Sequence, residues 1–183
     1  MYATIDTRAA IALIQRLKST AAEMRDGAIL EAIETAPDQI PPVLYALANA
    51  LSKEPGRGYD AIFWYHVGRI RAVYDGLRCR DKTAQQAVTR LGRGLSKPLR
   101  EFQNDDPPRT LSVAKKALAW DLKNPRNYDH RWVALEGVRA QTTDAIDPKP
   151  LTFPETEWPD ILRYTHETHL KSVQDFADGK KQK

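Results

Sequence analysis

Five side chains in this 183-residue chain could carry acid–base or metal chemistry: His66, His130, His166, His169 and the single cysteine, Cys79. His166 and His169 stand three apart in HETH, so on a helix they share a face and could share a metal ion. The zincin pattern HExxH spaces its histidines by four, and a third ligand here would have to come from His130 or a distant acid. The plainer expectation is two half-exposed residues beside Leu170. His66 follows Trp64 and Tyr65, with Arg69 three residues on. Histidine titrates near neutrality and can act as a general base, but no serine or cysteine with a nucleophile signature accompanies it. It reads as a satisfied, partly buried side chain. Cys79 lies in RCRDK, where Arg78 and Arg80 would lower its thiol pKa if it were exposed; an inert cysteine near a helix end is the commoner case. The sequence assigns no catalytic residue, no metal ligand and no cofactor.

Charge is a second source of chemistry. The net charge is +4, yet Arg57 to Arg100 holds ten basic residues against three acidic ones, a local +7 that leaves −3 for the remainder. Such a patch can meet an acidic partner protein or nucleic acid. Within it, AVTRLGRGLSKPLREF resembles a helix-turn-helix, with a turn at Gly92 to Gly94 and basic residues after it. Base reading needs an unbroken second helix in the major groove, and Pro98 falls where that helix should run. The glycines lack both the preceding strand and the following GKS or GKT of a phosphate loop.

These residues are positioned by helices. Gly58 to Leu77 packs Tyr59, Phe63, Trp64, Tyr65 and Tyr74 among Ile62, Val67, Ile70 and Val73. Phe63, Val67, Ile70 and Tyr74 form a stripe at helical spacing, wide enough to need cover on several sides. Before it, Pro41 and Pro42 open the helix PPVLYALANALSKE, and PGRG makes the turn between the two. Asp6 or Thr7 is placed to cap a first helix that continues through Ala-rich residues to Met24, and Gly27 should separate it from a second short helix that ends before Pro37. Asn104 to Arg109 reads as a break, Thr110 as the cap of the next helix, and Asn124 to Asp129 as a turn. A short helix over HRWVALEGVRAQ, a proline-rich loop and a last helix to about Ala177 complete the chain, with 178–183 a frayed tail. Strand alternation is missing. The expectation is one all-α domain over 1–183, six to eight helices built on a central aromatic hairpin.

The hairpin sets Ala46, Ala48 and Ala50 against aromatics, and in this it resembles tetratricopeptide and Sel1-like repeats over about 35 residues, though no second copy with that spacing follows. FWYHVGRIR, ALAWD, RWVALEG and EWP in that order resemble a group of small bacterial helical proteins. Helical proteins of this size and kind include immunity partners of secreted toxins, so the resemblance implies binding to and blocking another protein, and brings no catalytic residues.

An apolar fraction of 42% with 28% charged residues is ordinary for a globular chain. A single cysteine fits a reducing compartment, the N-terminal residues read as a helix and not a signal peptide, and no apolar run is long enough to span a membrane. The expected location is cytoplasmic. The expected function is non-catalytic protein binding through Tyr65, Arg69, Arg71, Arg78 and Arg80, with an acidic partner surface. The alternatives are nucleic-acid binding through residues 78–100 and an enzyme using His66 or the His166 and His169 pair.

Overall fold

The structure is a computed structural model that describes residues 2–142 and 150–181. Among these residues there are nine α-helices and no strand. They are α1 (Arg8–Leu17), α2 (Ala22–Glu34), α3 (Pro41–Leu51), α4 (Gly58–Arg78), α5 (Gln86–Arg93), α6 (Lys97–Asp105), α7 (Pro107–Lys123), α8 (Val138–Thr142) and α9 (Trp158–Lys181). A 3-10 helix spans His130–Glu136. The fold is all-α, as expected, with one more helix than the upper bound of that expectation.

The long apolar helix sits at the centre. α4 packs on α3, α5, α6, α7, α9 and the 3-10 helix, and fifteen of its 21 residues are buried. α3 is its closest neighbour. Val43, Leu44, Leu47 and Leu51 on α3 and Ile62, Val67 and Ile70 on α4 are fully buried, each such side chain contributing about 1.5–3 kcal/mol by leaving water. Tyr45 meets Tyr65 edge to face at 5.7 Å between ring centres. Gly68 lets the helices approach: a Cβ there would lie 3.1 Å from the Leu44 Cβ and 3.2 Å from the Tyr45 ring.

Local chemistry explains where several expected boundaries moved. Gly27 lies inside α2, because a helical glycine costs only about 1 kcal/mol and packing of Ala28, Ile29 and Ala32 outweighs it. The break at residues 104–109 shrinks to Asp106, whose side chain accepts from the Arg109 N–H at 3.0 Å. Asp106, not Thr110, caps α7; Pro107 occupies the first turn, where its missing N–H costs nothing. Pro98 likewise falls in the first turn of α6, behind Ser96, which accepts from the Leu99 N–H at 3.3 Å. It starts that helix and does not break it. Of the two caps expected for α1, Thr7 makes no side-chain cap bond, while Asp6 accepts from the Arg8 N–H, the first of the helix, at 3.0 Å. HRWVALE is 3-10 and only the residues after Gly137 are α-helical. The last helix continues past Ala177 through Lys181, so the tail expected from Asp178 is helical there; residues 182 and 183, like 143–149 of the proline-rich loop, lie outside the described residues. No helix among the described residues is long and apolar enough to cross a membrane.

Candidate functional site

The polar residues of α4 leave the helix in different directions, and each meets a later segment. Arg71, 0% exposed, reaches α7, where its Nε donates to Asp121 at 2.9 Å. Its terminal nitrogens donate to the carbonyl oxygens of Ala36 at 3.3 Å and Pro125 at 3.0 Å. The guanidinium also lies 5.0 Å from the Trp120 ring centre. Asp121 takes a further bond from Arg126 and pairs with His166 Nε2 at 3.1 Å. Burial pushes the Asp121 carboxyl up, but the His166 bond and the charges of Arg126 and Arg71 outweigh it and hold it below its ordinary value. This buried ion pair has its donors answered, which is what low-dielectric surroundings demand of one. Arg71 therefore braces the fold and cannot meet a partner, correcting its expected role.

Arg78 is corrected in the same way. It is buried, pairs with Asp75 one turn back, and lies 3.9 Å from the Tyr74 ring centre and 4.6 Å from that of Trp158. Asp75 also accepts from Trp132 Nε1 at 2.8 Å, and burial pushes its carboxyl up to about 6 against the pull of Arg78 and Trp132. Tyr65 is buried too. Of the five expected partner-binding residues, only half-buried Arg69 and exposed Arg80 reach solvent. Arg80 holds the Thr152 carbonyl oxygen at 3.0 Å and lies 5.2 Å from the Phe153 ring centre.

The histidines pair differently from the expected HETH constellation. His166 turns to Asp121, while His169, one turn along α9, faces His66 with 3.2 Å between His169 Nε2 and His66 Nδ1. Both members of this second pair are buried, and burial together with the charge of Arg69 keeps them neutral, His169 down at about 4 and His66 well below its usual value. His130 packs on Trp158 at 4.9 Å. No group of three or more His, Cys, Asp or Glu side chains among the described residues is arranged to hold a metal ion. Cys79 is 1% exposed and burial raises its thiol pKa, so its flanking arginines do not activate it.

A cleft and a charged run are open to solvent. The cleft, of about 230 Å³, lies between α4, α6, α7 and α9, lined by Tyr65, His66, Arg69, Gln103, Thr110 and Ser172 at its polar positions. The other is the run from Arg80 to Arg100, where Arg80, Lys82, Arg90, Arg93, Lys97 and Arg100 are all exposed. Its one acid, Asp81, is buried and accepts from Thr83 and from the Arg139 backbone N–H. Arg90 pairs with Glu136 and Lys97 with Glu101; Lys82, Arg93 and Arg100 form no ion pair among the described residues.

The sequence reading missed Asp121, Asp75 and Arg126. A signal for the first was present: Asp121 follows Ala114 and Ala117 by seven and four residues, so an acid stands in the apolar stripe of its helix. Compared with protein-family models, curated proteins and solved structures, the chain matches none.

Proposed function

We propose that this protein is a non-catalytic, cytoplasmic binding module of the immunity or adaptor kind, which docks on an acidic surface of another protein. The observation that carries this reading is the exposed basic run from Arg80 to Arg100, whose single acid is turned inward. Its two surface ion pairs are worth little, about 0–1 kcal/mol each, so they open readily to a partner's carboxylates. Unpaired Lys82, Arg93 and Arg100 speed encounter with an acidic surface and fix its register. Buried Asp75 and Asp121 are already committed to arginines, and the histidine pair sits beside no nucleophile signature, which supports binding over catalysis.

The test is affinity purification from the native host followed by calorimetry with the recovered protein. A stoichiometric acidic protein whose binding is abolished by Arg93→Glu with Arg100→Glu, and restored by a charge reversal on the partner, is the expected result. Binding that survives the double reversal refutes the reading. Recovery of nucleic acid instead, with affinity falling steeply in salt, moves the function to nucleic-acid binding by the same run.

A further inference from the structure

The cleft between α4, α6, α7 and α9 carries a chemistry separate from the basic run. Its lining grades inward from exposed Ser172 through half-buried Arg69 and Gln103 to buried His66 and Thr110. No aspartate or glutamate lines it, and Arg69 forms no ion pair among the described residues. An arginine at a cleft without a carboxylate is a charge awaiting one.

A second observation points the same way. One buried polar atom of the cleft lining has no hydrogen-bond partner: His66 Nε2. His66 lies one turn before Arg69 on α4 and within reach of its charge. An unsatisfied buried polar group costs about 1–3 kcal/mol, and such orphans in native proteins mark strain, function or a missing ligand. The tautomers can be arranged to serve an anion. If His169 Nε2–H donates to His66 Nδ1, His66 carries its own proton on Nε2 as a free donor. Arg69, Ser172 and Gln103 add further donors, so the set is rich in N–H and O–H groups around one fixed positive charge.

We propose that this cleft binds a small oxyanion, a carboxylate or a phosphate, with Arg69 as its counter-charge. The volume, about 230 Å³, is below the 300–1,000 Å³ usual for drug-sized ligands, so the ligand is a small ion or the acidic end of one. Arg69 forks two N–H donors toward it, Ser172 and Gln103 flank it, and the His66–His169 pair backs it with a neutral donor.

The experiment titrates inorganic phosphate and, separately, acetate into the protein at constant ionic strength, following the imidazole C–H resonances by NMR. The expected result is saturable movement of the His66 and His169 signals, with His130, packed on Trp158, as the internal control. Saturation by phosphate alone or by acetate alone names the ligand class. Arg69→Gln weakens binding at least about tenfold, the loss of one charge-assisted contact, and Arg69→Lys recovers part of it. Ser172→Ala, at an exposed position, weakens it without touching the core. Histidine signals that respond to neither anion overturn the proposal, as does titration of both Arg69→Gln and Ser172→Ala indistinguishable from the parent.

Discussion

Replacing Asp121 by alanine leaves Arg71, fully buried, without its carboxylate. In the parent that carboxylate takes Arg71 Nε at 2.9 Å, Arg126, and His166 Nε2 at 3.1 Å. After the change Arg71 keeps two carbonyl oxygens, at 3.0 and 3.3 Å, but no negative charge. Breaking a buried pair by removing one partner costs about 3–5 kcal/mol, out of a total of about 5–15 kcal/mol for a folded protein. At about 2–4 °C per kcal/mol for a chain of this size, the melting temperature falls by about 6–20 °C. Combining Asp121→Leu with Arg71→Met recovers a substantial part, because an apolar replacement of the pair removes the stranded charge. Arg69→Gln, at a half-buried position without an ion pair, stays within about 0.5 kcal/mol. Urea unfolding followed by tryptophan fluorescence reads all three, since Trp120 lies 5.0 Å from the Arg71 guanidinium. An Asp121→Ala loss under about 1 kcal/mol, or one equal to that of Arg69→Gln, refutes the assignment of Arg71 to the framework.

Acid should weaken the fold between pH 6.5 and 4. His66, His169 and His130 lie below their ordinary values, so on unfolding they gain protons and stability drops as pH falls. Asp75, raised to about 6, works the other way: its stability contribution is complete below 3.8 and is lost as pH rises through about 6. The net is a proton or two taken up on unfolding, on the order of 1–3 kcal/mol per pH unit near pH 5, with half-exposed His130 contributing least; urea midpoints that stay flat from pH 7 to 4.5 contradict it. At the glycines, Gly68→Ala forces Leu44 and Tyr45 apart and costs about 1–3 kcal/mol. Gly27→Ala, with nothing within 4 Å of the new Cβ, stabilises by about 0.5–1 kcal/mol; thermal melts separate the two by sign. Cys79 reacts with a thiol reagent only as fast as the protein opens, and immediate labelling of the native protein shows the burial argument to be wrong.

The helices were legible because apolar residues recur at helical spacing and because prolines and glycines punctuate them; Pro41 and Pro42 opening α3 and the PGRG turn before α4 are examples. Single-residue chemistry shifted boundaries where a cap could rescue a break, as Asp106 does ahead of Pro107. The sites were much less legible. Arginine and aspartate in α4 read as surface charge by type, yet Arg71, Asp75 and Arg78 follow at steps of four and three and turn inward. Apart from the local Asp75–Arg78 pair, the partners of the polar residues of α4 lie far along the chain, Asp121 fifty residues from Arg71 and His169 103 residues from His66. Spacing within one helix carries no information about which distant helix answers it. HETH suggested a pair where the fold makes two separate contacts, because α9 runs past α7 and α4 together.

That same separation fixes the order in which the protein can be made. α4 leaves the ribosome about a hundred residues ahead of the helix that covers His66, and at about 5–20 residues per second this takes roughly 5–20 s. Early in that interval the nascent chain carries a helix with aromatic and charged residues whose later partners are not yet made. Until α7 emerges Arg71 has no acid, until Trp132 follows Asp75 lacks its indole donor, and up to then the α3–α4 hairpin is the largest packed unit available. Chains that stall before α9 are therefore substrates for chaperones and proteases, and the final helix acts as the clasp that takes the newborn protein out of their reach.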